Sequence, residues 1–349
     1  MLIEQTLHWG LALVPVLILL VIFVSFDAFK LMSWGEILAL LAVGGLGAIA
    51  SFPVSGRLLD TLPIGFSNYS RFYAPWLEEA IKAAIIVALF RFNKIGFKLD
   101  AVITGFAVGA GFSVVENIIY LVRLPDYGAT TWLVRGLGTA VMHGVTLAIL
   151  AATAHEFAER ETRGKESDFD FRLWWFLPGY LIAVAIHMTF NQFPDQPLLA
   201  MLGASMFAPV AILGIFQFGT AEAEKWLKAE YAEHNLQFQA LEAGCWPDSD
   251  SGRRVAKFAA RFDAATADRV RRFWELQAWL VLQAEETLLE EAAGEVEFDE
   301  GAIHRAFGER QMIQGELGRA RMAELRELLP FSRNDYWELS ELRQRIDRD

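Results

Sequence analysis

The stretch Ala74–Phe92, APWLEEAIKAAIIVALFRF, decides how the rest of the chain is read. It is long and apolar enough for a bilayer-spanning helix, yet its first half carries Glu78, Glu79 and Lys82. Ionisable groups within a span cost roughly 2.5 to 3.5 kcal/mol each on insertion scales, so three together need partners or a task. At about 100° per residue, Glu78, Lys82 and Glu79 fall at roughly 0°, 40° and 100°, one polar face on an otherwise Ala, Ile, Val and Leu helix. That is the expected first wall of a polar site inside a membrane bundle.

The chain around it supports this. Of its 349 residues 54% are hydrophobic, and the mean hydropathy is +0.29, too apolar for an ordinary soluble protein. Apolar residues gather before residue 220. Residues 1–220 hold 13 Lys/Arg against 16 Asp/Glu, and residues 221–349 hold 18 against 27. Most of the net charge of −12 therefore belongs to the C-terminal part, which argues against nucleic acid or anionic lipid as that part's partner. The single cysteine, Cys245, excludes an intrachain disulfide and a thiolate-rich metal site. Only Glu4 and His8 precede or open the first apolar segment, so an uncleaved first span is expected rather than a signal peptide.

The expected fold class is all-α: a polytopic membrane bundle, residues 1–220, with an acidic soluble helical domain, residues 221–349. Seven spans are expected, at about 7–26, 34–53, 74–92, 100–123, 130–155, 173–193 and 197–219. Loop charges set the orientation. With the N-terminus outside, the cytoplasmic side receives Lys30, Arg91, Lys94, Lys98, Arg160, Arg163, Lys165, Arg172, Lys225 and Lys228, and the outside receives Arg57, Arg71 and Arg123. The acidic tail is then cytoplasmic and the chain an integral protein of the cell membrane, in contact with membrane lipid. Gly105 and Gly109, Gly44 with Gly45 and Gly47, and Gly136 with Gly138 mark expected close helix contacts. In the tail, residues 221–243, 253–293 and 309–329 have helical composition, with breaks at Gly244–Gly252 and Gly294–Gly301. Phe273, Trp274 and Trp279 promise a small core. No catalytic constellation is read there, and the tail is expected to regulate or to bind a cytoplasmic partner of unknown identity.

Further polar groups occur in the later spans: Glu116 with Asn117 in the fourth, His143 in the fifth, and His187 with Asn191 in the sixth. At ~1.5 Å per residue, Glu116 lies ~24 Å and His187 ~21 Å from the inner face, and Glu78 and Glu79 about 6 to 8 Å below the outer end. His143, ~20 Å below the outer end, is the outlier in depth. Carboxylates, imidazoles and an amide converging in a water-accessible cavity are the parts of a hydrolase: a carboxylate in low dielectric takes a proton from water, and His or Asn donates to an oxyanion. The same set offers zinc a shell of Glu116, His143 and His187 with an open position.

Glu78-Glu79-x-x-Lys82, Phe112-x-x-x-Glu116, His143 and His187-x-x-x-Asn191, in that order on consecutive helices, resemble the PrsW family of intramembrane proteases, within the superfamily of CAAX prenyl endopeptidases and bacterial Abi proteins. The resemblance covers about residues 70–195 and not the tail. It implies proteolysis of a membrane-anchored protein substrate, an anti-sigma factor in the namesake. By position it implies that Glu78 or Glu79 activates the water, that Glu116 and His143 complete the water or metal site, and that His187 with Asn191 supports the oxyanion. The prenyl-protease branch has His where this chain has Glu116, which leaves His143 open as the water's partner. The family label is metalloprotease, while relatives are argued to work through Glu without metal. A membrane scaffold or receptor working through its tail, and a transporter, are the competing readings.

Overall fold

The computed structural model describes residues 2–25, 32–96, 98–162, 171–193, 195–293 and 299–346, with the side chains of Leu2, Thr162, 207–227, 290–293 and Arg333 left aside. Lys30, Arg163 and Lys165, the side chain of Lys225, part of the break at Gly294–Gly301 and the side chains of the second half of the seventh expected span lie outside these residues. The chain forms two compact units, Met1–Glu161 with Phe171–Thr220, and one that includes Ala221–Asp349. All regular structure among the described residues is helical.

In the first unit the helices are α1 (Leu2–Val24), α2 (Trp34–Thr61), α3 (Gly65–Asn68), α4 (Ala74–Arg91), α5 (Lys98–Arg123), α6 (Ala129–Leu133), α7 (Ala140–Thr162), α8 (Leu177–Phe190) and the start of α9 (Pro197–Glu242). Two wide π turns interrupt the series, Tyr69–Tyr73 before α4 and Val134–Thr139 between α6 and α7. Among the described residues, five segments are long and apolar enough to cross a membrane: Ile3–Val24, Trp34–Thr61, Lys98–Arg123, Ala129–Glu161 and Leu173–Phe190. Of the seven expected spans, the third is α4, an 18-residue helix with four ionisable residues, and the seventh begins with the shorter apolar run Pro197–Met206. α2 runs on to Thr61, beyond the expected end at 53 and through Pro53. Its start is fixed by a capping box, in which the Ser33 hydroxyl accepts from the Glu36 amide and the Glu36 carboxylate accepts from the Ser33 amide.

α5 is the axis of this unit. It is buried on all sides from Leu99 to Ser113, the pattern of a helix enclosed by others. Glycines let its neighbours approach to backbone contact. A Cβ on Gly111 would lie 2.0 Å from the Leu41 carbonyl oxygen of α2, and one on Gly109 would lie 2.3 Å from that of His143 on α7. The outer faces are the reverse of a soluble protein: Leu38, Leu46 and Ile49 on α2, and Leu177 and Leu181 on α8, are exposed. A surface of this composition needs lipid around it.

The second unit contains the end of α9, then α10 (Asp250–Ala259), α11 (Ala264–Ala293), α12 (Glu300–Leu317), α13 (Arg319–Leu328) and α14 (Arg333–Ile346). The expected helix at 253–293 is two helices. Asp263 ends the run by accepting the Thr266 amide at 2.8 Å and so starting α11 anew. The expected helix at 309–329 begins earlier, at Glu300, and is divided at Gly318, whose φ of +78° breaks the helix. α14, unforeseen in the sequence, closes over α11. Phe273 and Trp274 are buried at the centre with Leu280, Val281, Ile303 and Leu325, and Trp279 packs at the edge.

Candidate active site

Four helices of the first unit bring the ionisable residues together. α4 contributes Glu78, Glu79 and Lys82; α5 contributes Glu116; α7 contributes His143; α8 contributes His187. Glu79 and Lys82 are fully buried, His143 and His187 almost so. One oxygen of Glu79 accepts from Lys82 Nζ at 2.6 Å and lies 2.8 Å from His187 Nδ1. Lys82 Nζ also lies 2.8 Å from His143 Nδ1, and 5.0 Å above the Phe112 ring. Glu116 lies 3.3 Å from His143 Nε2, and the two imidazole rings stand at right angles with centroids 5.0 Å apart. His143, the outlier in depth, is therefore inside the cluster.

Glu79 and Glu116 are each oriented by a close partner, whereas Glu78 comes no nearer than 3.9 Å to His187 Nε2 through its Oε2. Glu79 Oε2 and Glu78 Oε2 are buried and make no hydrogen bond. Glu116 is held by Arg135, whose guanidinium is 3.0 Å from Oε2 and stacks on Tyr120 at 3.8 Å. Arg135 was not among the residues singled out from the sequence. The available signal was that it is the sole Lys or Arg in residues 130–155. It reaches Glu116 from the π turn, where its carbonyl accepts from Asn117 Nδ2 at 3.2 Å.

The geometry bears on two expectations. The metal-capable group is Glu78, His143 and His187, whose ligand atoms lie within 4.8 Å of one another, whereas Glu116 faces Arg135 and His143. Asn191 caps α8 with near-helical backbone (φ −75°, ψ −6°), its own N–H donating to the His187 carbonyl at 3.1 Å, but its side-chain amide is engaged elsewhere than with the imidazole. Its amide donates to the Ser70 carbonyl at 2.9 Å, tying the end of α8 to the π turn before α4.

Two imidazoles and a carboxylate, with an unbonded carboxylate oxygen among them, fit a catalytic metal in donor type and number. With neutral imidazoles, three carboxylates face two cations, Lys82 and Arg135, so the cluster has one negative charge to spare for a cation or a proton.

These features define a polytopic α-helical membrane protein with a buried glutamate and histidine centre. Residues 28–215, more than half of the chain, match the PrsW family intramembrane metalloproteases, and the chain belongs to that family. The family's chemistry is intramembrane proteolysis, and the metal-capable group is in the matched region. No curated protein and no solved structure matches significantly.

Proposed function

We propose that the protein is an endopeptidase that cuts a membrane-anchored protein, with zinc held by Glu78, His143 and His187. The observation that carries this is the closeness of these three ligands, with each imidazole braced by a further carboxylate: Glu79 on His187 and Glu116 on His143. Braced imidazoles are the usual support of a metal centre. Zinc would supply Lewis-acid activation of water and of the scissile carbonyl. The chain's own groups do the rest. Glu79, held through Oε1, keeps Oε2 open to take the proton of the attacking water. Lys82 neutralises Glu79, and Arg135 fixes Glu116. Asn191 positions α8, and through it His187.

A cavity of about 600 Å³ on the same turns of α7 and α8 as the two histidines, lined by Met142, Val145, Ala185, Ile186, Leu199 and Gly203, supports this choice of substrate class. Its nearly wholly apolar walls suit an apolar segment of a membrane-anchored protein, an anti-sigma factor being one example of that class. In this reading seven spans cross the membrane, with the N-terminus outside and residues 221–349 a separate cytoplasmic domain. Glu79→Gln should abolish all new protein termini that expression of the wild type creates in the membrane proteome. Unchanged termini would leave a scaffold or receptor.

The contact of Lys82 with His143 Nδ1 favours a second reading, without metal. If the ammonium donates to Nδ1, the ring proton is on Nε2, facing Glu116, and no lone pair remains for an ion. Cleavage at full rate by protein stripped with a strong chelator would establish it over zinc.

A further inference from the structure

The second unit has a polar cluster of its own. His234 near the end of α9, Glu285 on α11 and Asp335 on α14 are buried, and their ligand atoms lie within 4.8 Å of one another. His234 Nδ1 is 2.7 Å from Glu285 Oε1, and its Nε2 is 3.9 Å from Asp335 Oδ2. Glu338, one turn beyond Asp335 on α14, is 1% exposed and has no hydrogen bond to either oxygen. Asp335 Oδ1 and Glu285 Oε2 are likewise unbonded.

A buried carboxylate with neither donor nor counter-charge is expensive, and Glu338 is one, beside Glu285, whose partner is His234, and Asp335, which accepts the Ser332 amide. Burial raises the pKa of Glu338 well above the carboxylate range, and the charges of Asp335, Glu285 and Glu230 push it further. Burial also raises Asp335 and Glu285, against the opposing pull of His234. At His234 burial works downward, but the hydrogen bond to Glu285 and the charges of Asp335 and Glu285 outweigh it. One oxygen each of Glu285 and Asp335 and both oxygens of Glu338 remain without a donor.

We propose that His234, Glu285 and Asp335, with Glu338 beside them, form a second metal site, for a divalent first-row ion such as manganese, iron(II) or zinc. One imidazole with several carboxylate oxygens is a donor set for such ions, and no thiolate competes nearby. The ligands come from three helices far apart in sequence, so the ion would pin α9 and α14 to α11. That would make the fold of this unit dependent on metal supply. The site is distinct in residues and chemistry from the Glu78, His143 and His187 group.

The test uses full-length protein in detergent, with His143→Ala and His187→Ala combined to disable the first group. Purified without chelator, this variant should retain about one metal ion per chain. After stripping and reloading with Mn²⁺, its electron spin echo spectrum should show imidazole nitrogen coupling that His234→Gln removes. Asp335→Asn should lose the ion, and Glu338→Gln should bind it about 10- to 100-fold more weakly. Stripping should lower the melting temperature of the parent and leave Asp335→Asn unaffected. Retained metal that ignores Asp335→Asn and His234→Gln would overturn the proposal. So would a melting temperature indifferent to chelator and raised by Asp335→Asn or Glu338→Gln, the behaviour of a buried histidine–carboxylate network alone.

Discussion

Gly109→Ala separates the geometry of the catalytic cluster from its composition, because it adds one methyl group and replaces no ionisable residue. A Cβ at this position would lie 2.3 Å from the His143 carbonyl oxygen, 2.6 Å from its carbon and 2.8 Å from Gly144 Cα. Carbon contacts are at their best at about 3.5 to 4.0 Å, so α5 and α7 must part by roughly 1 Å at the level of His143. The obstacle is backbone on both sides and has no rotamer into which to retreat. Overpacking of this kind costs about 1 to 3 kcal/mol, too little to unfold a bundle so thoroughly glycine-packed. The effect on chemistry is larger: a 1 Å misplacement of a reacting group costs about 100-fold in rate. Cleavage would be read by targeted mass spectrometry of termini that appear with the wild type and vanish with Glu79→Gln. Gly10→Ala on α1, where a Cβ meets nothing within 4 Å, is the control and should cleave normally. A Gly109→Ala protein that inserts normally and cleaves at the wild-type rate would refute the dependence of the site on α5–α7 spacing.

Arg135→Met removes the cation that holds Glu116 and should destabilise the protein by about 3 kcal/mol, the low end for a buried pair because both side chains are partly exposed. An unchanged melting temperature in detergent would show Glu116 to be satisfied otherwise, and Arg135→Lys should recover part of the loss. Orientation is checked by reporters: one fused after Asp349 should report cytoplasm, and one between Pro125 and Thr130 the outside. The reverse pair would invert the reading of the loop charges. The Asp263 carboxylate is held below its ordinary pKa, chiefly by its backbone hydrogen bond to Thr266. Its contribution to α11 is therefore present above the unfolded value and lost as pH falls through the folded one. Asp263→Asn, still a good cap, should flatten the acid limb of stability near pH ~4 and below, and an unaltered limb would assign it to other groups.

Much of the site was legible because a charge in an apolar run is conspicuous. Glu78, Glu79, Lys82, Glu116, His143 and His187 each stand out against aliphatic neighbours, and helical angles placed the first three on one face. What sequence could not supply was how the helices are rotated and offset against each other. Glu78 and Glu116 are equivalent as carboxylates in a span, and only Arg135, reaching across from another helix, distinguishes them. Arg135 itself escaped notice because basic residues were weighed as loop markers. Asn191 follows the helical bonding to the last turn, but its side chain is taken by the Ser70 carbonyl, a partner 121 residues away that no local pattern names. In the tail, His234, Glu285 and Asp335 are separated by some fifty residues at each step and look like ordinary charges of amphipathic helices. Their burial depends on packing that no local pattern reveals.

The π turn at Val134–Thr139 has a consequence for how this gene can vary. Such a turn holds one residue more than an α turn and is in effect a single-residue insertion absorbed by a helix. Removing one residue there, Leu137 for instance, would let α6 and α7 fuse into a regular helix of better intrinsic stability. The flanking turns would keep their register, as on removal of an absorbed insertion, but the wide turn that carries Arg135 to Glu116 would be lost. Substitutions along 134–139 can be graded in their effects, but a deletion is all or nothing. Length in this short segment is inherited as strictly as the identity of the residues it orients.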